Sequence, residues 1–205
     1  LVWYFWLLNR WWLTVYTKSM NGNLSQRNCI TNMTDIDIKK VTLDNIDQLQ
    51  KLSRQTFFES FSPGNTKENI QKYLDEAFSV SRLTEELNDN NVVFYFAIHE
   101  DQVIAYLKLN FGPSQTELQG DRAVEIERIY VLNAFQGKSV GQALFGKAIE
   151  IAREKGADYV WLGVWEENLK AINFYKKNGF VVFDKHLFKL GDDEQTDLMM
   201  KLELK

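Results

Sequence analysis

Gly137-Lys138-Ser139 is a residue combination that can handle phosphate. In an ATP-binding P-loop, backbone amides cradle the phosphates, the lysine meets the outer phosphates and the hydroxyl holds magnesium. Such a loop needs another glycine five residues earlier, and that position is Leu132. No aspartate closes a nearby apolar strand to complete a magnesium site. The dinucleotide pattern G-x-G-x-x-G fails as well, because positions 137, 139 and 142 read Gly, Ser and Gln. What survives is anion binding at a helix start, where unpaired N–H groups and the positive end of the helix dipole face a ligand.

Two other sets could do chemistry. Glu125 and Glu127 alternate with Ile126 and Arg128 in AVEIERIYV. On a strand, residues two apart share a face, so the two carboxylates point one way and Arg128 the other. A carboxylate can accept the proton of an amine, directly or through water. A solvated strand face has the same pattern, and both readings stand. Further on, Ala171, Phe174, Tyr175 and Asn178 fall on one helix face at i, i+3, i+4 and i+7. Taken alone, Phe174 and Tyr175 read as core aromatics.

The elements that position these residues follow from periodicity. A strand is expected at 35–41, then a helix capped by Asp44 with Ile46, Leu49 and Leu52 inward. Helices follow at 66–78, after the Pro63-Gly64 turn, and at 82–88. Strands at 92–98 and 103–111 form a hairpin, 112–121 is a loop and 123–131 a further strand. A helix at 139–155 carries Val140, Leu144, Ala148 and Ile151 on one stripe. A strand at 159–164, a helix at 168–178 stopped by Gly179, and closing strands at 180–190 and 197–204 complete the order. This order implies an α+β fold. Its sheet is mixed and mostly antiparallel, with helices on both faces and one strand–helix–strand unit at the centre.

Bulk properties narrow the class. The chain has 205 residues, with 24 basic and 28 acidic side chains and a net charge of −4. It lacks the basic surplus of a nucleic-acid binder and is compatible with a cationic small substrate. One cysteine, Cys29, excludes an internal disulfide framework and a cysteine zinc cluster. Two histidines, His99 and His186, are too few for a His-rich metal site. The opening LVWYFWLLNRWWLTVY is apolar, but Asn9 and Arg10 interrupt its 16 residues, and a spanning helix needs about 20. Signal-peptide features are missing. Residues 1–32 are therefore expected to be a leader outside the fold, with Met33 as a candidate start. A single domain over 33–205 follows, in a cytoplasmic protein that binds no membrane.

Gln136-Gly137-Lys138-Ser139-Val140-Gly141 resembles the Q/R-x-x-G-x-G/A loop of the GCN5-related N-acetyltransferase (GNAT) superfamily. Ser139 stands where that family has glycine; serine is small and a good helix-start residue. WLGVWEENLKAINFYKKNGF (161–180) resembles the family's second signature, an Asn followed by A-x-x-F-Y-x-x-x-G-F, at the right order and distance. The resemblance covers about 33–204 and is strongest to bacterial spermidine/spermine N-acetyltransferases. EIERIYV, TFFESFSPGNTKENIQKYLDEAF and GDDEQTDLMMKL carry it too.

The resemblance implies the GNAT fold, acetyl-CoA as co-substrate and no metal. The cofactor pyrophosphate falls to the loop and helix start at Gln136, Gly137, Lys138, Ser139, Val140, Gly141 and Gln142. The backbone around Ile129, Tyr130 and Val131 holds the thioester oxyanion, where this strand splays from 159–164 and pantetheine inserts as a pseudo-strand. Asn168 faces the pantetheine or pyrophosphate, Ala171 and Phe174 line its channel, and Lys177 joins the cofactor set. Tyr175 points at the sulfur and protonates the leaving thiolate. Glu127 is the first candidate base and Glu125 the second. With Cys29 in the leader, direct transfer in a ternary complex is expected rather than an acyl-cysteine. Glu59, Glu68, Asp75 and Glu76, with Phe58, Phe61 and Tyr73, suit a long dication and also suit an ordinary amphipathic helix. The partners implied are acetyl-CoA and a cationic amine, with a homodimer allowed. Another amine acceptor, or a CoA-binding regulator without turnover, are the alternatives.

Overall fold

The computed structural model describes residues 35–62, 65–117, 120–190 and 193–204. The leader at 1–32, Cys29 and the Pro63-Gly64 turn lie outside the described residues. The elements run β1 (Asp37–Lys40), α1 (Ile46–Phe61), α2 (Lys67–Ala77), α3 (Val80–Asn88), β2 (Val92–His99), β3 (Gln102–Phe111) and β4 (Ala123–Val131). Then come α4 (Val140–Glu154), β5 (Tyr159–Trp165), α5 (Leu169–Lys177), β6 (Val181–Leu190) and β7 (Asp193–Glu203). Among the described residues no helix is long and apolar enough to cross a membrane.

Seven strands form one sheet in the order β1-β2-β3-β4-β5-β7-β6. Only β4 and β5 run parallel, and α4 is their crossover. Val140, Leu144, Ala148 and Ile151 bury as one stripe of α4 in a core with Ile104, Leu107, Ile126 and Leu162. The opposite face of the sheet carries a second core, in which Leu49, Leu52 and Phe57 of α1 meet Leu74, Phe78, Leu83, Phe94 and Tyr106. Helices therefore cover both faces, as the element order implied.

Two local readings change. Asp44 caps nothing; it sits inside a 3-10 turn, Leu43–Asn45. There Asn45 Oδ1 accepts the Thr42 N–H at 3.1 Å, and Asn45 itself precedes α1. The β2–β3 hairpin is also tighter than its four polar residues suggest. Its strands extend to His99 and Gln102, and the turn is Glu100-Asp101 with φ of +49° and +61°. Two left-handed residues match the twist of the flanking strands.

The larger departure lies in β4. Arg128 stands opposite Lys108, but Ile126 stands opposite Leu109, so Glu127 is an extra residue bulged out of the β3–β4 ladder. One inserted residue shifts the phase of alternation. Val124 and Ile126 before it, and Ile129 and Val131 after it, all pack toward α4. Arg128 does not turn away from the glutamates as strict alternation requires; it joins Glu127 on the α1–α3 face, with Tyr130 beyond it. β4 also leaves β5 early. The parallel pairs are Ala123–Tyr159, Val124–Val160 and Glu125–Trp161, and none follows. β4 continues along β3 to Val131 while β5 continues along β7 to Trp165, so a gap opens between them.

Candidate active site

The 136–142 loop divides in two at its first residue. The Gln136 N–H donates to Asn133 O at 3.3 Å, so this amide is not part of the cradle. Its side chain is a strut: Nε2 donates to Val131 O at 3.1 Å and to Asn133 Oδ1 at 2.9 Å. From Gly137 through Gln142, no backbone N–H has a partner among the described residues; the first bond of α4 is Ala143 N–H to Ser139 O at 3.0 Å. Six consecutive free amides at a helix start form an anion cradle. Gly137 and Ser139 shape it with φ of +76° and +66°. Ser139 thus occupies a left-handed position, which explains the family's glycine there. Its side chain makes no capping bond, so the expected helix-start benefit of serine is not realised.

Positive charge reaches the loop from two sides. Lys138 Nζ lies over the Phe135 ring at 5.3 Å. Lys170, which the sequence reading missed, places its Nζ 2.5 Å from Gln136 Oε1. Its one sequence signal was its position two residues after Asn168, in the first turn of α5.

The gap between β4 and β5 offers backbone donors. Leu132 N–H bonds Ile104 O, so by alternation the Tyr130 N–H turns into the β3 ladder while those of Ile129 and Val131 turn to the gap. Asn168 caps α5, its Oδ1 accepting the Ala171 N–H at 3.1 Å. Its amide nitrogen has no partner among the described residues and remains as a donor for a cofactor. Ala171 and Phe174 are half-buried against the α4 core, and Lys177 is exposed. Gln142 Nε2 bonds Asn178 Oδ1 at 2.9 Å and ties the start of α4 to the end of α5. Tyr175 is buried, with Phe174 and Phe180 rings at 5.2 and 5.5 Å. Burial pushes its hydroxyl above the ordinary tyrosine range, so it stays protonated at neutral pH.

Beside the gap lies a buried charge cluster that sequence reasoning did not find. Lys108 Nζ bonds Glu86 Oε1 at 2.8 Å and Glu127 Oε2 at 2.6 Å. Arg128 bonds Glu127 Oε1 at 2.8 Å, reaches Glu86 at 3.5 Å and stacks on the Phe78 ring at 5.0 Å. Asn110 Nδ2 donates to Glu125 at 2.9 Å and to Glu127 at 2.6 Å. The two glutamates do share a face, but their environments differ. Burial raises the Glu127 carboxyl, yet Arg128, Lys108 and Asn110 outweigh it and hold it at about 2. A carboxylate held that low is a poor proton acceptor, which counts against Glu127 as the first candidate base. Glu125 is pushed up by burial against hydrogen bonds from the Thr116 N–H, the Thr116 hydroxyl and Asn110.

A cavity of about 680 Å³ opens on this cluster, lined by Tyr73, Glu76, Glu85, Glu86, Asp89, Thr116 and Glu127 among others. Of the acceptor-region candidates, only Tyr73 and Glu76 line it. Glu59 instead accepts the Asn133 N–H at 2.8 Å, and Asp75 pairs with Arg54 at 2.8 Å. Phe58 and Glu68 face solvent. Phe61 stands 6.5 Å from both the Tyr130 and Trp165 rings, over the open end of the gap.

The chain matches the model of the acetyltransferase (GNAT) family over residues 46–180. It is 37% identical to an N-acetyltransferase of Lactobacillus delbrueckii subsp. lactis, described as uncharacterised, over 84% of this chain and 99% of that one. It is 24% identical to a spermidine N(1)-acetyltransferase of Thermoplasma acidophilum, over 81% of this chain and 96% of the relative. Among solved structures, the PaiA N-acetyltransferase of Thermoplasma acidophilum, crystallised with coenzyme A, superposes with a TM-score of 0.69 at 22% identity. That superposition covers 82% of this chain and 99% of the other. The open-amide helix start, the splayed β4–β5 pair and these matches lead to one conclusion: the chain belongs to the acetyltransferase (GNAT) family, as an N-acetyltransferase.

Proposed function

We propose that this chain transfers the acetyl group of acetyl-CoA to a primary amine of a polyamine, of the spermidine or spermine kind, by direct attack in a ternary complex. The observation that carries this reading is the cavity beside Glu127. Its lining has five carboxylates, Glu76, Glu85, Glu86, Asp89 and Glu127, against three cations, Arg82, Lys108 and Arg128. That surplus favours a cationic acceptor, and Tyr73 adds a ring for its methylenes and ammonium groups. The relative named as a spermidine N(1)-acetyltransferase supports the same substrate class.

Acetyl-CoA is a substrate and supplies the acetyl thioester. The amides of 137–142, with Lys138 and Lys170, suit its pyrophosphate. The N–H groups of Ile129 and Val131 stabilise the oxygen that gains charge as the amine attacks. Only about one amine in 10³ is neutral at pH 7, so a proton must leave first. Thr116 lines the cavity and donates its hydroxyl to Glu125 Oε1. It takes the amine's proton as its own passes to Glu125. Glu127 stays ionised and, with the other carboxylates of the cavity, draws the polycation in without contacting the reacting nitrogen. Tyr175 protonates the sulfur as the carbon–sulfur bond breaks and is reprotonated by the second proton that the nitrogen sheds on becoming an amide.

CoA release tests this with spermidine, spermine, a lysine peptide and a peptide with a free N-terminus. The highest kcat/KM is expected with a polyamine. A peptide preferred over both polyamines would move the acceptor to proteins. No release from any amine, with acetyl-CoA binding intact, removes the catalytic reading.

A further inference from the structure

Asp197 is a half-buried carboxylate that nothing above employs. It lies on β7, opposite Trp165 of β5 and His186 of β6. A Cβ placed on Gly163 would stand 3.5 Å from Asp197 Oδ2, so the two share a sheet face. Gly163 is exposed and lies past Trp161, the last β5 residue paired to β4. Asp197 therefore lies one strand beyond the opened end of the β4–β5 gap, reached from it across the bare backbone of Gly163. Glu125 stands opposite Trp161, and Trp161 and Gly163 are two apart on β5, so this is also the face of Glu125 and Glu127. Tyr73 ties the two regions together: its hydroxyl is within electrostatic reach of Arg128, Glu127 and Glu86, and of Asp197 as well.

Asp197 has no hydrogen bond or ion pair among the described residues. His186, its neighbour in register, gives its Nδ1 to Glu117 Oε1 at 2.8 Å instead. Burial pushes the Asp197 carboxyl above its ordinary value, against the pull of His186. A carboxylate so desolvated gains most from a cation that a ligand brings.

We propose that Asp197 anchors a second ammonium of the acceptor over the open floor at Gly163, so that the enzyme selects diamines and polyamines over monoamines. This rests on the amine-acceptor reading above. The chemistry requires such a division of labour. A carboxylate against the reacting nitrogen would hold it protonated and unreactive, whereas one against a distant nitrogen adds binding without that penalty. β5 stands between β4 and β7, which are about 10 Å apart where β4 still pairs with β5 and farther apart along the gap. An acceptor whose nitrogens are separated by a short methylene chain spans from the gap to β7.

The test compares kcat/KM for 1,4-diaminobutane and n-pentylamine, which has a methyl group in place of the second ammonium. Wild type is expected to prefer the diamine. Asp197→Asn should cost the diamine about tenfold or more while changing the monoamine less than twofold, with acetyl-CoA binding unchanged. Asp197→Glu should keep part of the preference. Gly163→Val should mimic Asp197→Asn by covering the carboxylate, since Gly163 has no left-handed backbone to strain. Turnover of both amines with equal losses, or with no dependence on Asp197, overturns the inference alone. A wild-type enzyme that binds acetyl-CoA but acetylates neither amine overturns the inference together with the amine-acceptor reading.

Discussion

In the quartet of Glu86, Lys108, Glu127 and Arg128, every charge has a partner of opposite sign; between 137 and 142, no backbone amide has a partner among the described residues. Both regions flank the same gap, one at the bulge of β4 and one just past its end. Glu86, Lys108 and Arg128 are buried, with Lys108 only 3% exposed, and Glu127 is half-buried, so leaving a member unpaired is costly. Its two cations and two anions cancel, and that balance fixes where the glutamates point. The loop is the opposite case. It is mostly exposed, with Val140 buried, its donors have no protein partner among the described residues, and an anion meets them by displacing solvent without breaking a bond within the protein. Polar groups paired within the protein hold a fixed geometry, and those without a protein partner stay open to a ligand.

The hardest way to break this contrast is to remove one cation from the quartet. Lys108→Met leaves Glu127 with Arg128, and Glu86 with Arg128 at 3.5 Å and the more exposed Arg82 at 3.3 Å. The expected loss is about 3–5 kcal/mol, read as a lower urea midpoint at unchanged m. A loss under about 1 kcal/mol would mean that the charges are already hydrated and the quartet holds nothing. Acid probes the same cluster. The Glu127 carboxyl is held at about 2, below its ordinary 4.5, so it adds stability above the ordinary value that is lost as pH falls toward 2. That contribution is on the order of 3 kcal/mol. Glu125 is shifted up and works in the other direction, its contribution fading as pH rises through its folded value. Stability of wild type minus Glu127→Gln should therefore shrink between about pH 5 and pH 2. A flat difference would show that Glu127 is not held by its partners.

On the substrate side the effects are kinetic. Tyr175→Phe should lower kcat about 10²-fold if the hydroxyl serves the leaving sulfur, and should leave thermal stability almost unchanged, because that hydroxyl has no hydrogen bond among the described residues. A stability loss without a kinetic one would make Tyr175 an ordinary core residue. Lys170→Ala should raise KM for acetyl-CoA by roughly 3–10-fold at low salt and by less at high salt, with the amine KM unchanged. Equal effects at both salt levels would assign Lys170 to holding Gln136 rather than to the phosphates.

How much of this was legible differs between the two regions for a physical reason. The loop was readable because its chemistry is local: small residues at a helix start can be recognised within six positions. The quartet joins α3, β3 and β4, and its Lys108 sits in AYLKLNF, where an alternating strand reads the lysine as exposed. Pairing across 22 and 19 residues, from Glu86 to Lys108 and from Lys108 to Glu127, leaves no local signal. The β4 bulge did leave one. Its inward apolar residues are Val124, Ile126, Ile129 and Val131, stepping by two, three and two, and the step of three marks the extra residue. Strand and helix positions came from periodicity and hold closely, whereas Asp44 shows that a cap residue cannot be chosen by type alone when Thr42 and Asn45 make the bond between them.

The smallest effect is expected inside the loop, at the position where this chain departs from its family. Ser139 has φ of +66° and no capping bond to offset it. A side chain in the left-handed region costs about 1–2 kcal/mol. Glycine removes that strain but gives back about 0.4–1 kcal/mol through the greater freedom of the unfolded chain. Ser139→Gly should therefore stabilise the fold by about 1 kcal/mol at most, raising Tm slightly, with acetyl-CoA affinity equal or better. Gly137 is the control, since its φ of +76° is already occupied without strain; Gly137→Ala should lose about 1 kcal/mol. If Ser139→Gly instead weakened acetyl-CoA binding while Gly137→Ala behaved as expected, the serine hydroxyl itself would be a ligand contact. The loop would then bind through a side chain as well as its amides, and the contrast with the quartet would narrow.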